Sequence, residues 1–169
     1  MNSDKVLDWD RIVRQHAARV LRVAMRILGN VDDAEDVSQE TFTEAFRLHR
    51  SRRVHNWTGL LVRLATLRSL DALRRRRTTQ CLREDDHLSH DGPCEDAAAR
   101  ELAHRLRRAV AELPQQQAAV FAMHDLEQMS RAEISACLGV SPAAVSTALY
   151  KARQRLLSQL ATIQLGESR

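Results

Sequence analysis

The sequence predicts an all-α protein, two small helical domains joined by a flexible acidic linker, and three observations carry that prediction. Glycine and proline are scarce, at five and three of 169 residues, while the good helix formers Ala, Leu, Arg, Glu and Gln abound. Apolar residues recur at helical spacing through most of the chain. Between residues 78 and 96 that periodicity stops and acids gather. With only 4% aromatic residues, the cores fall to Leu, Val, Ile and Ala, which suits small helical bundles.

Each element follows from local signals. Trp9, Ile12, Val13, His16, Val20, Val23, Ala24 and Ile27 line a first helix that Gly29-Asn30 stops. Asp32, three residues before Glu35, predicts a capping-box-like start for a second helix with Ala34, Val37, Thr41, Ala45 and Leu48 on one side and Phe42 and Phe46 widening it. Residues 49–58 lose the period and collect basic, polar and aromatic side chains, a candidate functional loop. Thr58 is then positioned to cap a third helix reaching about Arg77, with Leu60, Leu61, Leu64, Leu67 and Leu70 as its apolar surface.

The first domain is therefore read as residues 1–77, the linker as 78–96 and the second domain as 97–169. About twenty flexible residues span roughly 25 Å r.m.s., enough for two domains to engage separate sites on something large. Charge is segregated along the chain. Arg63, Arg68 and Arg74 to Arg77 face one acid, Asp71, whereas Glu84 to Asp86, Asp91, Glu95, Asp96 and Glu101 outnumber Arg83 and Arg100. The net charge of +4 by itself says little about partners. Cys81, Cys94 and Cys137 are odd in number and lack metal-ligand spacing. Nothing resembles a signal peptide or an apolar membrane span, so a reducing cytoplasmic setting with no cofactor or metal is expected.

In the second domain, helices are predicted at 97–112, 115–127, 131–138 and 142–161, a four-helix unit. Its centre is a helix-turn-helix. Ser130 and Glu133 form a capping box, Ser135 is small where two helices cross, Gly139 can take the positive φ of a tight turn, and Val145 fills the space between the helices. Ile134, Leu138, Val140 and Leu149 complete that core. Ser141-Pro142 opens the second helix with an N-cap and a proline at the first helical position. In this motif the start of the second helix enters the DNA major groove. Ser141, Ala143, Ala144, Ser146 and Thr147 then face bases or phosphates, with Lys151 and Arg153 behind them and Arg131 on a phosphate.

The run Asp33-Ala34-Glu35-Asp36-Val37-Ser38-Gln39-Glu40-Thr41-Phe42, followed by Leu70-Asp71-Ala72-Leu73-Arg74-Arg75, Glu112-Leu113-Pro114, and Glu133-Ile134 through Lys151-Ala152-Arg153, resembles the extracytoplasmic-function sigma factors. The resemblance covers about residues 8 to 160 and both conserved sigma regions, 2 and 4. It implies a non-enzymatic subunit that lends core RNA polymerase its promoter recognition, the first domain docking on the clamp helices and opening the −10 element, the second meeting the flap and reading the −35 element. Asp36, Gln39, Glu40 and Glu44 would touch polymerase. Arg52, Arg53, His55, Asn56 and Trp57 would capture an unpaired promoter base, with Arg63, Arg68, Arg74 and Arg75 on the strand backbone. Trp57 has a second reading, as a seal on the domain core. An anti-sigma factor is a habitual partner of the family. The linker acids Glu84 to Asp86 are expected to mimic nucleic acid in polymerase channels. Leu60, Leu67, Ala144 and Ala148 depart from the family's usual residues and bear on promoter specificity.

Two alternatives belong beside this reading. A dimeric helix-turn-helix repressor or activator would use residues 1–77 for sensing or dimerisation and bind two-fold half-sites. A metal-dependent nuclease would use Asp32, Asp33, Asp36 and Glu40, but no catalytic His or Lys accompanies them.

Overall fold

The computed structural model describes residues 8–51, 54–82 and 97–166. They form seven α-helices and, among the described residues, no strand. In the first half, α1 is Trp9–Leu28, α2 Val31–Ser51 and α3 Trp57–Leu82; in the second, α4 is Ala97–Glu112, α5 Gln115–Phe121, α6 Arg131–Leu138 and α7 Pro142–Gly166.

Two residues do the work between α1 and α2. Gly29, at φ +68°, ends α1 in the left-handed conformation and donates its N–H to Met25 O at 2.8 Å. Asn30 then starts α2, its Oδ1 accepting from the Asp33 N–H at 2.9 Å. The cap is thus Asn30 rather than Asp32, which lies inside the helix where its carboxylate favours the positive end of the dipole. The start of α3 differs in the same way. Asn56 Oδ1 accepts from the Gly59 N–H at 2.8 Å, so the helix begins at Trp57 and Thr58 is already helical. At its other end α3 passes the expected stop near Arg77. Thr78 and Thr79 hydroxyls donate to the carbonyls of Arg74 and Arg75 at 3.2 and 3.1 Å, and the helix reaches Leu82. Residues 78–82 therefore belong to α3 rather than the linker, and Glu84 to Asp86 lie outside the described residues.

The three helices of the first half bury Val20, Val23 and Ile27 of α1, Ala34, Val37 and Ala45 of α2, and Leu61, Val62, Ala65 and Leu70 of α3. The second half closes on Val110, Val120, Met123, Ile134, Val145, Leu149 and Ala152. Past α5 the chain widens into a π-helical turn, Ala122–Leu126, before Gln128 takes φ +55°. That turn presents Asp125 to α7 and the Leu126 carbonyl to α1. The halves touch: α3 packs against α4, α5 and α6, and α1 against the π-helical turn.

Candidate nucleic-acid interface

The turn between α6 and α7 is built by short-range contacts. Ser130 Oγ accepts from the Glu133 N–H at 3.3 Å while the Ser130 N–H donates to Glu133 Oε2 at 2.8 Å, satisfying amides at the start of α6. The Ser130 hydroxyl also donates to Glu133 Oε2 at 2.7 Å, and this bond, with that from the Ser130 N–H, holds the Glu133 carboxyl below its usual range by favouring its charged form. Gly139, at φ +69°, ends α6 and donates to Ser135 O at 2.9 Å. Ser135 is more than small: its hydroxyl donates to Val140 O at 2.5 Å and pins the far side of the turn, a role its size alone did not suggest. Ser141 Oγ accepts from the Ala144 N–H at 3.2 Å and starts α7. The two helices bend by 105°, within the range of a helix-turn-helix.

On α7, Val145, Ala148, Leu149, Ala152 and Leu156 are buried, so the helix turns its other side outward. Ala143, Thr147 and Lys151 are exposed on that side, and Ala144 is half-buried. Ser146 is half-buried and its hydroxyl donates to Pro142 O at 3.1 Å, within its own helix. Ala148 is a packing residue here rather than a vacant DNA contact. Arg153 is held by Asp125 of the π-helical turn, Nη2 to Oδ1 at 2.5 Å, a hydrogen bond that raises its already high pKa. It shapes the field behind the helix instead of reaching out freely. Tyr150, 66% exposed and placed i+3 and i+7 from Thr147 and Ala143, joins the outward face. The sequence reading missed it, although that spacing was available. Arg131 is exposed at the start of α6.

In the first half the structure gathers the predicted residues less openly. Arg52 and Arg53 lie outside the described residues. His55 and Asn56 are exposed, and the Asn56 carboxamide spends its oxygen on the α3 cap. Trp57 takes the packing role: half-buried, it meets Trp9 at 5.7 Å between ring centroids and His49 at 5.4 Å, within a cluster that includes Phe42 and Phe46. Arg68 crosses to α2, donating Nε to Glu44 Oε2 at 2.8 Å, with a second nitrogen on the same oxygen and Glu40 at 3.5 Å. The Glu44 hydrogen bond raises its pKa. A predicted strand contact and two predicted polymerase contacts are thus paired with each other. Arg74 donates to Ala111 O and Leu113 O at 3.4 and 3.0 Å, across to the second half. Arg63 is half-buried and Arg75 exposed. On α2, Asp36, Gln39 and Glu40 are exposed and Glu44 is half-buried.

The carboxylates of the nuclease alternative have other work: Asp33 pairs with Arg76 at 3.4 Å and Glu40 with Arg68. No group of three His, Cys, Asp or Glu among the described residues is placed to hold a metal ion. Nor is any single helix among them long and apolar enough to cross a membrane.

Fold and site together define a two-part helical DNA-binding protein whose second part presents a helix-turn-helix. Comparison with known proteins makes this specific. Residues 12–79 match the family Sigma-70 region 2, and residues 103–156 match Sigma-70, region 4. The chain is 32% identical over 162 residues to the ECF RNA polymerase sigma factor SigF of Caulobacter vibrioides, covering 91% of this chain and 89% of that protein. It is 38% identical to SigE of Mycolicibacterium smegmatis over 90% of this chain, spanning 62% of SigE's length. Among solved structures, the fold is shared with CnrH in complex with the cytosolic domain of CnrY (TM-score 0.60, 21% identity, 91% of this chain and 88% of that one). It is shared also with RpoE bound to the anti-sigma factor NepR from Bartonella quintana (TM-score 0.56, 17% identity, 91% and 97%). The chain belongs to the ECF RNA polymerase sigma factors, the proteins that direct promoter-specific transcription initiation.

Proposed function

We propose that this chain joins core RNA polymerase in the cytoplasm, reads a −35 element with α7 and holds a melted −10 strand at the start of α3, with no covalent chemistry of its own. The observation that carries the reading is the α7 face of Ala143, Thr147, Tyr150 and Lys151, set out by a capped 105° turn and backed by a closed core. A major groove about 12 Å wide admits such a helix. Lys151 and Arg131 suit phosphates, Thr147 and Tyr150 suit base edges and the thymine methyl, and Ala143 permits close approach. In the first half, Asn56, His55 and Arg75 are exposed among the described residues and offered to a strand, while Trp57 packs against Trp9 and His49. Asp36, Gln39 and Glu40 form the docking face for the polymerase clamp, and the second half meets the flap.

An anti-sigma factor as partner is part of the proposal, supported by RpoE and CnrH having been solved with their partners bound. Reconstitution with core polymerase on genomic DNA tests the whole: specific initiation with an asymmetric footprint seen only when polymerase is present. A palindromic footprint indifferent to polymerase would replace the reading with a dimeric regulator.

A further inference from the structure

Past α5 the backbone takes in more residues than an α-turn needs. The Glu127 N–H reaches back five residues to the Ala122 carbonyl at 3.1 Å, and the Met129 N–H six, to Met123 O at 3.0 Å. Met123 is fully buried and seats this turn on the core of the second half, while Gln128 Nε2 donates to the Asp125 carbonyl at 2.9 Å. Asp125 thus stands on a fixed base. Its carboxylate takes both ends of the Arg153 fork, Nη2 to Oδ1 at 2.5 Å and Nε to Oδ2 at 3.4 Å, and His124 Nδ1 lies 3.3 Å from that Oδ1 and 3.4 Å from that Nη2. On α7, Arg153 comes four residues after buried Leu149 and three after exposed Tyr150, on the shoulder between the inner and outer sides of the helix.

We propose that Asp125 is a positioning residue for −35 recognition: by gripping Arg153 it sets the roll of α7 and so aims Thr147, Tyr150 and Lys151 into the groove. This role rests on the sigma-factor reading above. Apolar contact alone sets the roll loosely. The inner side of α7 is made of Val145, Ala148, Leu149 and Ala152, and their attraction to the core beneath is non-directional. A two-nitrogen grip on a carboxylate is directional. At a helix outer radius of about 6 Å, a roll of about 15° moves the tips of the outward side chains by about 1.5 Å, well beyond the tolerance of about 0.5 Å within which a recognition site has to be held. The pair itself contributes little to stability, because its side chains are 26% and 47% exposed and solvent screens them. Its effects on recognition and on folding are therefore separable. The sign is distinctive as well: by charge alone, removing an acid from a DNA-binding surface would tighten binding, whereas loss of the grip weakens it.

Holoenzyme assembled from the full chain and core polymerase, on a promoter fragment recovered from the genomic reconstitution, provides the test. Asp125→Asn should weaken binding about tenfold, the weight of one well-placed contact, while the thermal midpoint of the free chain moves by no more than about 3 °C. Arg153→Gln should weaken it similarly and leave the log–log salt slope as it was, since no phosphate contact is lost. Arg153→Lys, which keeps the charge but cannot fork, should resemble Arg153→Gln, and Asp125→Glu, which keeps a carboxylate opposite the guanidinium, should retain most of the affinity. Unchanged or tighter binding by Asp125→Asn overturns the proposal, and so does a slope flattened by about one unit in Arg153→Gln, which would put Arg153 on a phosphate. Binding lost as fully in Asp125→Glu as in Asp125→Asn, with the midpoint falling in both, would reduce the pair to a folding contact. Should Asp125→Asn not fold, Arg153→Lys decides, full affinity refuting the grip. An unmodified chain that never initiates with polymerase would instead sink the sigma-factor reading; the grip on α7 is then judged by the same variants, with the same signs, in binding of the whole chain to sheared genomic DNA.

Discussion

In the first half of the molecule the cations expected on a promoter strand are largely engaged already, Arg68 with Glu44 and Arg74 with the end of α4, and Trp57 is packed among aromatic rings. In the second half Ala143, Thr147, Tyr150 and Lys151 stand outward on a helix whose inner side is closed. The difference matches the two targets. Duplex DNA is a preformed groove that a rigid helix can meet without rearranging. Under the proposed function, an unpaired strand exists only after melting, so side chains offered to it can be engaged elsewhere in the free chain. The candidate contacts of the first half are mostly engaged within the fold, and those of the second face outward.

The largest test of this contrast is a core substitution confined to one half. Leu61, 1% exposed, sits in the first core, and Leu61→Ala should cost about 2–5 kcal/mol. If the halves are separable units, a thermal melt followed by calorimetry will show the first-half transition fall while that of the helix-turn-helix stays in place. A single shared transition would mean that the two halves, whose buried apolar residues form one continuous cluster, unfold as a unit. Next comes the turn. Nothing lies within 4 Å of a Cβ on Gly139, so Gly139→Ala suffers backbone strain alone, about 1–2 kcal/mol, read as lowered stability of the second half with the first unaffected. Gly29→Ala shares the same backbone penalty but also displaces Arg107 of α4, so it should cost more stability than Gly139→Ala, read from the same thermal melts.

A smaller effect concerns binding. Lys151→Ala should weaken polymerase-dependent −35 binding to a similar degree on all sequences and flatten the log–log salt dependence by about one unit, measured by titration at several salt concentrations. A change in sequence preference instead would place Lys151 on a base. The smallest is a pH effect in the first half. His16 is buried in α1, and desolvation, then Arg19, lowers its pKa below the ordinary 6.5. The folded form therefore binds its proton less readily than the unfolded chain does. Its contribution is fully present above about pH 6.5 and is lost as pH falls through the lowered folded value. Chemical denaturation from pH 7.5 down to 5 should show the first half weakening, with a shallower slope in His16→Gln.

Much of the second half was legible in the sequence because its determinants are neighbours. Ser130 and Glu133, Gly139, Ser141 and Pro142 act within a few residues of one another, and α4 and α6 begin and end where those rules place them. Two caps in the first half were misplaced by two residues each. In Gly-Asn-Val-Asp-Asp and His-Asn-Trp-Thr several side chains can cap, and which one does depends on where the backbone leaves the helix. Tyr150 was passed over although it stands three and seven residues from Thr147 and Ala143. The roles of Arg68, Arg74 and Trp57 were out of reach for another reason: Glu44, Leu113 and Trp9 are distant in the chain, and no local rule brings them together.

The sequence by itself determined the helices, to within a few residues at their ends, and the capped turn, since propensity, capping and helical periodicity act over a turn or two of chain. Only the tertiary structure decided which charged side chains remain available to polymerase and DNA. An ion pair or a cation on a helix end forms wherever folding brings the partners within a few ångströms, and that proximity is a property of the packed helices.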